Sequence, residues 1–96
     1  MIFDASAANV TGYIEMYGVM PPGSSPSVEF EIAPRPDAPA LATATGRVLG
    51  SSEPDRFVST GSVNIDKLSP GDYVLRAVLS VNGQPAGRIF RTFRKD

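Results

Sequence analysis

Cysteine and histidine are both absent from this 96-residue chain. Without cysteine there is no disulfide staple, no thiol nucleophile and no thiolate metal site, so stability must come from packing. Without histidine the chain also lacks the usual general base near neutral pH and the commonest metal ligand, and most hydrolase mechanisms go with them. A Ser-Lys pair is the remaining option, but Lys67 lies in a turn and Lys95 at the terminus, where water keeps an ammonium group charged. No catalytic residue and no cofactor is expected, and the chain reads as a non-enzyme.

Long apolar runs are missing too. No window approaches the roughly 18 apolar residues of a membrane span, so membrane insertion is not expected. Met1-Ile2-Phe3-Asp4 opens the chain without the basic stretch and apolar core of a signal peptide; a role outside the cytoplasm would make this sequence part of a longer precursor. Strong charge is absent as well. A net charge of −1 sets up no field to attract nucleic acid or anionic lipid, and the interleaved basic and aromatic residues of single-strand binders are missing.

What is present suits a single domain of short strands. Ninety-six residues bury enough surface for one core and leave no room for a second. Nine glycines and nine prolines punctuate the chain about every ten residues, which favours strands joined by turns over long helices. Val10, Gly12, Ile14 and Met16 alternate with Thr11, Tyr13, Glu15 and Tyr17, a period of two. Val28, Phe30 and Ile32 alternate just as clearly with Ser27, Glu29 and Glu31, as in a strand with one wet face. Proline-rich and glycine-rich stretches at 21–26, 34–39 and 50–55 separate such segments.

Further strands are expected within 40–48 and 57–65, with Gly61 marking a bulge or a close backbone approach. Residues 1–9 form either a linker or an N-terminal strand. Leu68, Pro70, Gly71 and Tyr73 have the spacing Leu-x-Pro-Gly-x-Tyr ahead of a long alternating strand, 73–82. That is the pattern of a tyrosine corner, in which the ring is buried and its hydroxyl turns back to bond upstream backbone. Asn82-Gly83 signals a two-residue hairpin, because both central positions of a type I′ turn need positive φ. It leads into a last strand at 86–94. Turn chemistry pairs Val81 with Gln84, whereas Pro85 and Gly87 allow a longer loop with a bulge; a one-residue slip exchanges Phe90 for Ile89 and Phe93 on the core face. Together these features predict an all-β, two-sheet antiparallel sandwich, immunoglobulin-like or fibronectin-III-like, with Greek-key connections and six to seven strands. In that order the first strand is at 10–17, the second at 27–33 and the third at 40–48.

The segment Leu68 to Arg94 carries three pieces, Pro-Gly-x-Tyr, Asn-Gly-x-Pro and Gly-Arg-x-x-Arg-x-Phe, by which it resembles the C-terminal β-sandwich segment of secreted or envelope proteins of soil bacteria, in particular acidobacterial proteins related to von Willebrand factor A domains. The resemblance covers about the last thirty residues. It implies an extracytoplasmic accessory module, periplasmic, cell-surface or secreted. The von Willebrand A domain itself, with its metal-site Asp and Ser residues, is not in this sequence, so no metal function is implied.

Candidate binding features are few. Tyr13 and Tyr17 share one strand face and offer a flat aromatic platform for a sugar or a protein. Glu29 and Glu31 also share a face, but opposite an apolar one they read as the solvent side. Glu53, Asp55, Asp66 and Asp72 fall in loops near the sandwich ends without calcium-ligand spacing. The last strand holds Arg88, Arg91 and Arg94, whereas the first thirty-four residues have acids and no Lys or Arg. This places the basic strand beside an acidic one, its charges paired or in water, or makes it a small anion-binding strip; exposed edges, the last strand from Pro85 to Arg94 or the first strand, are where docking by strand addition is expected. The expected role is a structural or protein-interaction module whose partners are neighbouring domains or another protein; the alternative is a carbohydrate-binding module using the tyrosine face.

Overall fold

The computed structural model describes residues 1–17, 25–49 and 56–96. Its eight strands are β1 (Ile2–Ala5), β2 (Asn9–Tyr17), β3 (Pro26–Ala33), β4 (Ala42–Thr45), β5 (Arg47–Leu49), β6 (Arg56–Asn64), β7 (Gly71–Val81) and β8 (Gln84–Lys95). They form two antiparallel four-stranded sheets, ordered β1-β2-β6-β5 and β4-β3-β7-β8. The chain is thus an all-β two-sheet sandwich, and its strand order is that of an immunoglobulin-type Greek key, A-B-E-D facing C′-C-F-G.

Two strands more than the clearly alternating segments reveal account for the count of eight. The first is β1, four residues long, too short to show a period and pinned through Phe3 and Met1, which pack on the core. It takes the first position in the order, so the strand at 10–17 is second and the strand at 27–33 third. The other arises because 42–49 is not one strand. β4 pairs with β3 in one sheet, and after Gly46 the chain crosses so that β5 pairs with β6 in the other.

Phe30 explains why the crossing falls there. Its side chain is fully buried between the sheets, and an added Cβ at Gly12, Gly46 or Gly61 would come within 2.6 to 2.9 Å of its ring. Gly12 and Gly61 are direct partners across β2 and β6, so the two bare positions together form the seat for the ring. No bulge interrupts β6 at Gly61: the register runs unbroken from Asn9↔Asn64 to Tyr17↔Arg56. The close approach is the reason for the glycine. Around Phe30 the core is built from Val10, Ile14, Val28, Ile32, Val63, Ile65, Leu75 and Ala77, the alternate residues of four segments.

The last hairpin combines both sequence readings. Asn82 (φ 53°) and Gly83 (φ 80°) form the two-residue turn between Val81 and Gln84, and the register then shifts between Leu79 and Ser80, so that Ser80 faces Pro85 and Leu79 faces Gly87. The bulge after the tight turn places Ile89 and Phe93 on the inner face and Phe90 on the outer one.

Candidate functional site

The corner before β7 has the geometry its spacing implies. The Tyr73 hydroxyl donates to the Ser69 carbonyl at 2.6 Å, Leu68 packs on the core, and Pro70 and Gly71 turn the chain between them. Tyr73 also stacks on Phe93, ring centroids 5.9 Å apart, and Phe93 meets Phe3 at 6.3 Å. The aromatic row thereby ties β1 to β7 and β8. Lys95 closes the same end. It is buried, not solvated as a terminal lysine is expected to be, and its ammonium donates to the carbonyls of Ile65 (2.6 Å), Leu68 (2.6 Å) and Asp66 (3.2 Å). Three carbonyl dipoles take the place of water around the charge. Among the described residues, its partners include no nucleophilic side chain.

Tyr13 and Tyr17 do share the outer face of β2, and Glu15 stands between them. Both hydroxyls donate to its carboxylate, Tyr13 at 3.1 Å, and Arg56 on β6 adds an ion pair at 2.8 Å. These bonds hold the Glu15 carboxyl below its ordinary value of 4.5, through Tyr17 first and then Tyr13; burial opposes them, and Arg56 adds to the lowering. Tyr17 is 69 % exposed. The platform is therefore a braced acid with two phenol rings leaning toward it, an arrangement that period-two reading places on one face but does not connect.

On the other sheet, Glu31 and Glu29 also share an outer face, with different fates. Glu29 is exposed, whereas Glu31 is half-buried and bonded to Arg76 Nε at 2.5 Å. Arg76 is buried and donates as well to the carbonyls of Pro36 (2.8 Å) and Ala38 (2.9 Å), which pins the proline-rich 34–39 segment flat against the sheet. The signal in the sequence is a lone cation in Val74-Leu75-Arg76-Ala77-Val78, opposite an acidic strand. Beside this segment an open groove of about 800 Å³ is lined by Ala38, Pro39, Val78, Pro85–Gly87 and Arg88, together with the charged Glu31, Asp37 and Arg76.

The basic strand does not lie beside the acidic strands. Among the described residues β8 is an edge, paired only with β7, while β2 and β3 lie further inside their sheets. Its arginines also divide between faces. Arg88 and Arg94 sit across from Val78 and Asp72 on the outer face, and Arg91 across from Leu75 on the inner one. Arg94 pairs with Asp72 at 3.1 Å and with Asp96 at 3.9 Å. Arg88 lies 5.3 Å from the Phe90 ring centroid, and Arg91 donates to the Phe90 carbonyl at 2.8 Å; neither meets a carboxylate among the described residues.

Of these acids, Asp72, at the start of β7, takes Arg94, and the Asp66 backbone N–H donates a turn bond to Asn64 Oδ1, while Glu53 and Asp55 lie outside the described residues. Among the described residues no three acidic side chains gather as a metal cluster would require. Compared with protein-family models, with curated proteins and with solved structures, the chain matches none.

Proposed function

We propose that this chain is a non-catalytic docking module, one sandwich unit of a larger bacterial extracytoplasmic protein, and that it holds its partner along β8. The observation that carries the reading is the inequality of the sheet edges. β8 runs for twelve residues, against four for β1, four for β4 and three for β5. A strand-length row of unpaired N–H and C=O groups is a template for another strand, and natural sandwiches keep such edges short or cover them unless the edge is used. The bacterial and extracytoplasmic parts of the reading rest on the resemblance of residues 68–94. Against catalysis stand the missing histidine and cysteine and the engagement of Lys95 by three carbonyls. Excising the module from its parent protein is expected to weaken assembly or partner binding while the isolated module stays folded. Turnover of a substrate by the isolated monomer would overturn the reading.

A second reading is supported by the braced tyrosines. Two rings held on Glu15 form a rigid surface on which a saccharide stacks while its hydroxyls reach the carboxylate. A glycan array separates the two: saccharide binding abolished by Tyr13→Ala supports a carbohydrate-binding module, and no binding across plant and microbial polysaccharides removes it.

A further inference from the structure

We infer that the strand added to β8 is an extended acidic segment of another protein, with carboxylates three positions apart; this rests on the docking reading above. The argument is one of charge left over. β8 ends in four cations, Arg88, Arg91, Arg94 and Lys95, and the fold itself uses two of them: Lys95 on loop carbonyls, Arg94 on Asp72 and Asp96. Arg88 and Arg91 are exposed and meet no carboxylate among the described residues. An added strand puts its side chains directly opposite theirs, about 5 Å away, where an opposite charge stabilises the pair and a like charge destabilises it.

The two arginines occupy opposite faces of β8, three residues apart. A strand satisfying both therefore carries one acid on each face, at positions i and i+3. A second copy of this chain fits poorly. Antiparallel pairing of β8 with itself about Arg91 sets Arg91 against Arg91 and Arg88 against Arg94, cation on cation. The neighbouring groove adds an apolar requirement. Pro85, Ala86 and Gly87 keep the edge low on that side, and an added Cβ at Gly87 meets nothing within 4 Å. An apolar residue two positions from the acid that faces Arg88, and so on the same face, can lie over this stretch toward Val78 and Pro39.

The test is fluorescence anisotropy with a labelled ten-residue peptide of strand-forming residues carrying two aspartates at i and i+3, beside its asparagine and lysine counterparts and a version N-methylated at alternate residues. The aspartate peptide is expected to bind about ten-fold or more tighter than the asparagine peptide and to weaken in 0.5 M salt. N-methylation is expected to abolish binding. In the Arg88→Glu/Arg91→Glu double variant, its fold checked by circular dichroism, preference is expected to pass to the lysine peptide. Equal binding of aspartate and asparagine peptides would overturn the acidic partner and leave the docking edge standing. Binding unaffected by N-methylation, or no binding by any peptide, would overturn both; a dimer in sedimentation that the double variant strengthens would replace the acidic partner with a second copy.

Discussion

Gly46 carries more of this fold than any surface residue. It stands where the chain leaves one sheet for the other, and a Cβ there would lie 2.9 Å from the Val28 carbonyl, 2.9 Å from the Phe30 ring and 2.5 Å from Ser59 Oγ. The backbone oxygen cannot swing aside as a flexible side chain can. Gly46→Ala is therefore expected to cost about 1 to 3 kcal/mol through overpacking, read as a lower midpoint in urea. An unchanged midpoint would mean that the crossing is looser than described. The buried hydroxyl of Ser59 has no hydrogen-bond partner among the described residues, so Ser59→Ala in the Gly46→Ala background is expected to recover part of the loss.

Glu15 makes a prediction of its own at this scale. Its folded-state pKa is lowered by Tyr17, Tyr13 and Arg56, so its contribution to stability is fully present above the ordinary value of 4.5 and is lost as pH falls through the lowered folded value. Wild type is expected to melt above Glu15→Gln at about pH 7, and the gap is expected to narrow progressively as pH falls below 4.5 and through the lowered folded value. A gap independent of pH would show that the carboxylate charge does not brace the tyrosines.

At the scale of elements, the proline-rich segment after β3 is held by one side chain. Arg76 donates to Glu31 and to the carbonyls of Pro36 and Ala38, and so converts a run with few N–H groups into an ordered wall of the groove. Arg76→Met strands Glu31, only 20 % exposed at its side chain, without its cation. The loss is expected to be about 2 to 3 kcal/mol, and amides of 35–40 are expected to exchange faster. Replacing both members, Arg76→Met with Glu31→Leu, is expected to cost less than Arg76→Met alone, since no charge is then left stranded. A double variant as unstable as the sum of the singles would contradict the pairing.

Elements were legible where their physics is local. The alternations of β2 and β3 each expose one wet face, β7 shows its core face as every second residue from Tyr73 to Leu79, and the Leu-x-Pro-Gly-x-Tyr and Asn-Gly spacings name their own turns. β4 and β5 were not, because Ala42-Thr43-Ala44-Thr45 has little hydrophobic contrast and the switch of sheets depends on a ring twelve or more residues away. Arg76 and Lys95 share that difficulty: each is satisfied by carbonyls 27 to 40 positions distant, so nothing beside them in the chain announces their burial. Of the candidate sites, the facing of Tyr13 and Tyr17 could be read from period two, but the acid that joins them is chosen by side-chain length and not by pattern.

At the scale of the molecule, the described residues form a sandwich with three short edges and one long one, and the functional proposals depend on that asymmetry. The fold closes its own lower end with Lys95, the Tyr73–Phe93–Phe3 row and the Arg94–Asp72 pair, and among the described residues the stretch from Gln84 to Thr92 has no strand neighbour on one side. Residue-resolved amide exchange on the isolated chain reads this directly. Along 84–92 the amides bonded to β7 should be protected in alternation with amides that exchange within the dead time, while β2, β3, β6 and β7 are slow throughout. Uniform protection across both sets of β8 amides would show that the edge is already covered, and uniform fast exchange would show that β8 is not part of the sheet; either result would contradict an open docking edge.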